Sequence, residues 1–78
     1  MIPVQINARF YGAQACHLCE AAEMILQRAG INAIKIDIAE DENLLKKYVL
    51  RIPVLQRADN DAELDWPFDV AAVENFLK

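Results

Sequence analysis

The sequence predicts a small α/β protein whose elements follow in the order β-α-β-α-β-β-α. Three observations support this fold class. Residues 5–11 and 31–38 alternate apolar and polar side chains, at least in part, with the period of a strand. Between them, residues 16–29 carry apolar side chains at the three- and four-residue spacing of a helix. A strand, a helix and a strand in so short a stretch predict a βαβ unit with parallel strands.

The first helix is expected to begin at Cys16 and to stop at Gly30, a residue that favours helix ends. Met24 is expected to fill the core. The apolar stripe of this helix is predicted to consist of Leu18, Ala22, Ile25 and Ala29, widened by Ala21 and Leu26. In the second strand, one face is predicted to carry Ile34, Ile36 and Ile38.

The second half of the chain predicts a short helix, a hairpin and a last helix. Asp41 and Asp69 have side chains suited to cap the two helices. Phe68 and Val73 have the spacing of a hydrophobic staple around the second cap. Residues 53–56 and 62–64 are predicted to be strands joined by a turn at residues 59–61. Four acidic residues along this hairpin are expected to form a solvated edge: Asp59, Asp61, Glu63 and Asp65.

Composition and charge exclude several classes of function. The chain has 78 residues, which predicts a single domain over residues 1–78. Its net charge of -4 gives no basic surface for nucleic acid or for an anionic membrane. No apolar run approaches the ~18–20 residues of a membrane span, and no secretory signal is visible. We therefore expect a cytoplasmic monomer that binds neither nucleic acid nor membrane.

Two cysteines, Cys16 and Cys19, form one Cys-x-x-Cys unit at the start of the first predicted helix. The first-turn N–H groups and the helix dipole favour negative charge, so Cys16 should lose its proton more readily than a free cysteine. One helical turn brings the second sulfur back within bridging distance. Cys16 can then attack a disulfide, and Cys19 can resolve the mixed disulfide. After a strand and inside a βαβ unit, this motif predicts a thiol–disulfide oxidoreductase.

The sequence resembles glutaredoxin-like proteins of the thioredoxin superfamily over nearly its whole length. The resemblance rests on residues 6–11, the Cys16-His17-Leu18-Cys19 motif, the isoleucine-rich strand ending at Asp37, and the run Tyr48-Val49-Leu50-Arg51-Ile52-Pro53-Val54-Leu55. It implies a three-layer, thioredoxin-like fold with a four-stranded mixed sheet. It also implies that Cys16 attacks and Cys19 resolves.

The same resemblance implies where substrate binds. Pro53 would follow a cis peptide bond and face the disulfide, and the backbone of Ile52 would pair with the bound substrate. His17, directly after the attacking cysteine, is a further candidate substrate-binding residue. The expected partner is a disulfide-containing protein or a small-molecule thiol, and no bound cofactor or metal is expected.

Glutathione is the reductant that the resemblance suggests, but two features that bind it in typical glutaredoxins are missing. Ala13 stands where those proteins often have a basic residue, and no glycine pair precedes Asp69. Without those glycines the backbone cannot approach the ligand in the same way. We therefore predict weak glutathione-dependent reduction.

Two other functions stay open. A non-catalytic binding module would use the same fold to hold an extended peptide or a partner, without a reactive Cys16 or a reversible disulfide. A zinc or iron–sulfur carrier would use both thiolates and His17. Such a site needs about four ligands, so it would require a dimer or an external thiol.

Overall fold

The computed structural model describes residues 8–78, which form three α-helices and a four-stranded sheet. The elements are β1 (Ala8–Gly12), α1 (His17–Arg28), β2 (Ile34–Asp37), a 3-10 turn (Ile38–Glu40), α2 (Glu42–Tyr48), β3 (Val54–Arg57), β4 (Glu63–Asp65) and α3 (Val70–Phe76). The order expected from the sequence is confirmed. Residues 5–7 of the predicted first strand lie outside the described residues.

The sheet has the strand order β2-β1-β3-β4. β1 pairs with β2 in parallel, whereas β1 with β3 and β3 with β4 are antiparallel. The sheet is therefore mixed, as the resemblance implied. The central strands β1 and β3 alternate between its two faces. Phe10 and Leu55 lie opposite each other on one face, and Tyr11 and Val54 on the other.

Helices cover both faces of the sheet and give it three layers. α1 and α3 pack over the face that carries Phe10 and Leu55, and α2 packs over the other. The larger core comprises Ala8, Phe10, Cys19, Ala22, Leu26, Leu55, Phe68 and Val73. The smaller core comprises Tyr11, Ile38, Tyr48 and Val54. The Cys-x-x-Cys motif therefore lies at the start of a helix that belongs to the larger core.

The helix caps expected from the sequence are present. The Asp41 carboxylate accepts hydrogen bonds from the N–H groups of Asn43 and Leu44 at the start of α2. The Asp69 carboxylate accepts one from Ala72 at the start of α3. Such side chains satisfy first-turn N–H groups that have no partner within the helix. Within residues 8–78, every helix is too short or too polar to cross a bilayer.

Two expectations about buried apolar residues are wrong, because Leu18 and Met24 are 53% and 55% exposed. On α1 the buried positions are Cys19, Ala22 and Leu26, so the predicted stripe is confirmed at Ala22 and Leu26 but begins at Cys19 and not at Leu18. Ile34, predicted to share a face with Ile36 and Ile38, is 62% exposed. Ile34 is exposed because β2 is an edge strand, flanked on one side only.

The expected acidic edge of the hairpin is exposed at Asp59, Asp61 and Asp65, whereas the Glu63 side chain is largely buried. All four carboxylates have an arginine partner. The pairs are Asp59 with Arg57 at 2.6 Å, Asp61 with Arg9 at 3.3 Å, Glu63 with Arg51 at 2.7 Å, and Asp65 with Arg51 at 2.8 Å. The acids therefore tie the hairpin to β1 and to the segment before β3.

Candidate active site

Cys16 and Cys19 lie at the start of α1 with their Cα atoms 5.2 Å apart, and their sulfurs form a disulfide. The extended backbone of Cys16 makes it the N-cap of the helix. Its Sγ accepts a hydrogen bond from the Cys19 N–H at 3.2 Å. A sulfur in this position faces the positive end of the helix dipole, which stabilises negative charge on it.

The two cysteines differ in their access to solvent. Cys16 is half-buried, whereas Cys19 is only 4% exposed and belongs to the larger core. Gly12, the last residue of β1, lies against the inner sulfur. A Cβ at Gly12 would approach Cys19 Sγ to 3.3 Å, which is tighter than an ordinary contact. The outer sulfur can therefore meet an external disulfide, and the inner one can react only with its neighbour.

The turn that delivers Cys16 contains a residue with unusual backbone geometry. Ala15 has a φ of 55°, in the left-handed region that disfavours residues with a side chain. This conformation turns the chain after β1 and places Cys16 at the N-terminus of α1. Nothing in the sequence marks Ala15 for this role, since glycine or asparagine is the usual residue there.

The three predicted substrate-binding residues occupy different environments. His17 projects into solvent, with its side chain 99% exposed and Nδ1 3.8 Å from the Glu20 carboxylate. Pro53 is fully buried, and the Ile52–Pro53 peptide bond is cis, as the resemblance implied. The register of β1 and β3, extended by one residue beyond Tyr11 and Val54, places Pro53 opposite Gly12.

Ile52 is half-buried and packs against both cores. Its N–H donates to the Tyr48 carbonyl at 3.0 Å. A substrate strand placed beside Ile52 would therefore find this donor already engaged, and would pair with the carbonyl instead. The role of Ile52, Pro53 and His17 in substrate binding remains a prediction.

A cleft of about 460 Å³ opens beside the disulfide, on the side of β2. Both cysteines line it, together with Gly12, the turn at residues 13–15, and parts of α1, β2 and the 3-10 turn. None of the three predicted binding residues lines it. This cleft could not be predicted from the sequence, because its walls come from several separate segments of the chain.

A hydrogen-bond network that was not predicted from the sequence surrounds Tyr48, four residues before Ile52. The buried Tyr48 hydroxyl donates to the Glu63 carboxylate, and Arg51 donates to both Glu63 and Asp65. Burial, followed by the bond to Glu63, raises the pKa of Tyr48. Burial would raise the pKa of Glu63, but the hydrogen bonds from Tyr48 and Arg51 outweigh it and lower that pKa. This network fixes the segment that leads into Pro53.

Metal-binding side chains do not converge in the described part of the chain. Among residues 8–78, no three His, Cys, Asp or Glu side chains are grouped so that they could hold a metal ion. His17 points into solvent, and Cys16 and Cys19 are bonded to each other.

Comparison with known proteins identifies the family. The family model described as Glutaredoxin-like domain (DUF836) matches residues 8–78. The chain belongs to this family. A search of curated proteins gave no match. The glutaredoxin-like domain therefore spans all the described residues, including the Cys16–Cys19 pair.

Solved structures agree with this assignment. The X-ray structure of target protein XcR50 from X. campestris is 34% identical, covers 88% of this chain and 92% of its own, and has a TM-score of 0.82. A glutaredoxin from Brucella melitensis is 20% identical over 92% and 82% of the two chains, with a TM-score of 0.63. Thioredoxin 1 from Thermosipho africanus is 14% identical over 91% and 93%, with a TM-score of 0.58. The last two show a thioredoxin-like fold.

Proposed function

We propose that this glutaredoxin-like domain is a thiol–disulfide oxidoreductase that cycles between the Cys16–Cys19 disulfide and the dithiol. The observation that carries the proposal is the placement of the pair. The half-buried Cys16 sulfur caps α1 and accepts the Cys19 N–H, while Cys19 is buried against Gly12. A stabilised outer sulfur and a shielded inner sulfur match the two roles that the exchange needs.

In the reductive direction, the Cys16 thiolate attacks one sulfur of a substrate disulfide. A bond forms between Cys16 and that sulfur, and the other substrate sulfur leaves as a thiolate that takes up a proton. Cys19 loses its proton and attacks Cys16 Sγ, which releases the second substrate thiol. Two electrons pass to the substrate, and the protein becomes the disulfide. An external thiol or dithiol reductant then restores the dithiol by the reverse exchange.

Trapping the intermediate tests this assignment. Cys19→Ser should accumulate a mixed disulfide between Cys16 and a substrate, because the resolving thiol is gone. Cys16→Ser should trap none, since its remaining sulfur is buried. Mass spectrometry of each variant after exposure to 2-hydroxyethyl disulfide gives the adduct and its position.

A second measurement separates the enzyme from a non-catalytic module of the same fold. The reduced wild-type protein should react with iodoacetamide at Cys16 before Cys19 near neutral pH, as peptide mapping would show. The oxidised protein should be reduced reversibly by a dithiol. Faster modification of Cys19 would reverse the assigned roles. A disulfide that no thiol reduces without unfolding would contradict the enzymatic function.

A further inference from the structure

The cleft beside the disulfide is acidic. Five charged side chains line it: Glu20, Glu23, Asp37, Glu40 and Lys35. Its walls therefore have an excess of three negative charges by residue type. Both cysteines lie in the same wall, so any group that enters the cleft comes close to the reacting sulfurs.

Among the described residues that line the cleft, the one cation, Lys35, is already paired. Lys35 Nζ on β2 lies 2.5 Å from the Glu23 carboxylate on α1. Within residues 8–78, Glu20, Asp37 and Glu40 have no lysine or arginine nitrogen within 4.0 Å. These three carboxylates, which have no lysine or arginine partner among the described residues, therefore make the electrostatic potential of the cleft beside the disulfide negative.

We propose that this cleft selects disulfides that carry a cationic group beside the reacting sulfur. The proposal rests on the exchange chemistry proposed above and specifies its substrate class. In the exchange, one negative charge spreads over the attacking, central and leaving sulfurs, and the acidic walls oppose that charge. An ammonium or guanidinium group within the cleft offsets the repulsion, whereas a carboxylate on the substrate adds to it. Glu20, Asp37 and Glu40 are then specificity-determining residues.

Two kinds of substrate carry such a cationic group: a small aminothiol disulfide, and a protein disulfide whose cysteine is flanked by lysine or arginine. The small molecules give the sharper test, because three disulfides of similar size differ in charge. Cystamine is cationic, 2-hydroxyethyl disulfide is neutral and 3,3′-dithiodipropionate is anionic. The pre-reduced protein is mixed with each, and the second-order rate constant is measured. Each reaction consumes one protein dithiol and yields two small thiols and the protein disulfide.

The leaving thiols also differ in pKa, which alone changes the rate. Each rate constant is therefore divided by that of dithiothreitol, an uncharged dithiol, with the same disulfide. At low salt we expect the normalised rate for cystamine to exceed that for 3,3′-dithiodipropionate about tenfold or more. The ratio should fall towards one in 0.5 M KCl, because salt screens exposed charges.

Single variants locate the effect. Glu20→Gln and Glu40→Gln should each lower the cystamine-to-dithiodipropionate ratio about threefold. Glu74→Gln is the matched control, since it removes one exposed acid from α3 that does not line the cleft. Any general change in Cys16 reactivity cancels in the ratio. A paired comparison of Lys-flanked and Glu-flanked peptide disulfides shows whether a protein source is accepted as well.

The outcomes separate the two proposals. If the protein reduces none of the three disulfides, the proposed oxidoreductase function fails. If it reduces all three with the same normalised rate, the function stands and the charge selectivity is wrong. An equal effect of Glu40→Gln and Glu74→Gln would also overturn the role of the cleft, because net charge alone would then explain the preference.

Discussion

The acidic residues of the hairpin and those of the cleft differ in what surrounds them. On the β3–β4 hairpin each carboxylate has an arginine partner, and Glu63 also accepts the Tyr48 hydroxyl. In the cleft, Glu20, Asp37 and Glu40 have no lysine or arginine within 4.0 Å among the described residues. One chain thus uses the same side-chain type in two ways.

The difference assigns the two regions different tasks. Three of the four hairpin acids pair with Arg9 or Arg51, and these ion pairs join the hairpin to β1 and to the segment before β3. The Arg57 guanidinium extends this role, because it also donates to the Phe76 and Lys78 carbonyls at the end of α3. In the cleft, Glu20 and Glu40 are exposed and, among the described residues, pair with no lysine or arginine, while Asp37 makes only a local bond to the Ala39 N–H. Substitutions should therefore separate stability from chemistry.

The largest expected effect is on chemistry and comes from the redox region. Cys16→Ser should lower the rate of disulfide reduction at least about a thousandfold, because the attacking thiolate is removed. In reducing buffer its free energy of unfolding should stay close to that of wild type, since Cys16 is only half-buried. Turnover assays and urea titrations of the same sample measure both. Residual turnover in Cys16→Ser above that of Cys19→Ser would contradict the assignment.

The largest expected effect on stability comes from the hairpin. Glu63→Ala should lower the free energy of unfolding by about 2 kcal/mol, because the Tyr48 hydroxyl and the Arg51 guanidinium lose a partner in a partly buried site. Exposed Glu74 on α3 provides the control, and Glu74→Ala should change the value by less than about 0.5 kcal/mol. Equal urea midpoints for the two variants would show that the network contributes nothing.

Sequence alone could predict the parts of this molecule that depend on neighbouring residues. Asp41 and Asp69 act within three positions of themselves, and the Cys-x-x-Cys spacing fits a single helical turn. The arginine partners of the hairpin acids were not predicted, because all but the Asp59 partner are distant in sequence. Arg9 lies 52 positions from Asp61, and Arg51 lies 12 from Glu63. The cleft depends on the same kind of long-range packing.

Exposure at the start of α1 also escaped prediction. Leu18 fits an apolar helical stripe, yet it is exposed because Cys19, one residue later, occupies the inward position beside Gly12. Periodicity specifies which residues share a face but not which of two adjacent faces meets the sheet. The close approach of Gly12 to Cys19 decides between them, and it involves two elements.

The pH dependence of stability should depend on the hairpin. The pKa of Glu63 is lower in the folded protein than the ordinary carboxyl value of about 4.3. The stabilisation that the Glu63 carboxylate provides is therefore present at pH values above about 4.3 and is lost as the pH falls through the pKa of Glu63 in the folded protein. Urea midpoints should decrease between pH 6 and pH 3 in wild type, and less so in Glu63→Gln. An unchanged decrease in Glu63→Gln would assign the acid sensitivity to other carboxyl groups.

Substitutions at Gly12 and Gly30 compare the disulfide region with a distant turn. Gly12→Ala should lower stability by about 1 kcal/mol, because the added Cβ comes within 3.3 Å of Cys19 Sγ. Gly30→Ala should cost a similar amount for a different reason, since Gly30 has a φ of +72° and open space around it. In Gly12→Ala alone, dithiothreitol should reduce the disulfide more readily, because the freed Cys19 thiol can rotate away. Identical reduction equilibria in both variants would contradict the contact.

The smallest expected effect on stability comes from the cleft acids, and it tests directly whether they differ from the hairpin acids. Glu40→Gln removes an exposed carboxylate that has no lysine or arginine partner among the described residues and lies with three other acids around one cleft. Loss of like-charge repulsion favours folding, and loss of its favourable position before α2 opposes it, so the two nearly cancel. The free energy of unfolding should therefore stay within about 0.5 kcal/mol of wild type. Urea titrations at 20 mM and 0.5 M KCl measure the net change and its screening. A loss comparable to that of Glu63→Ala would mean that Glu40 holds the fold together, and the cleft acids would then be structural like those of the hairpin.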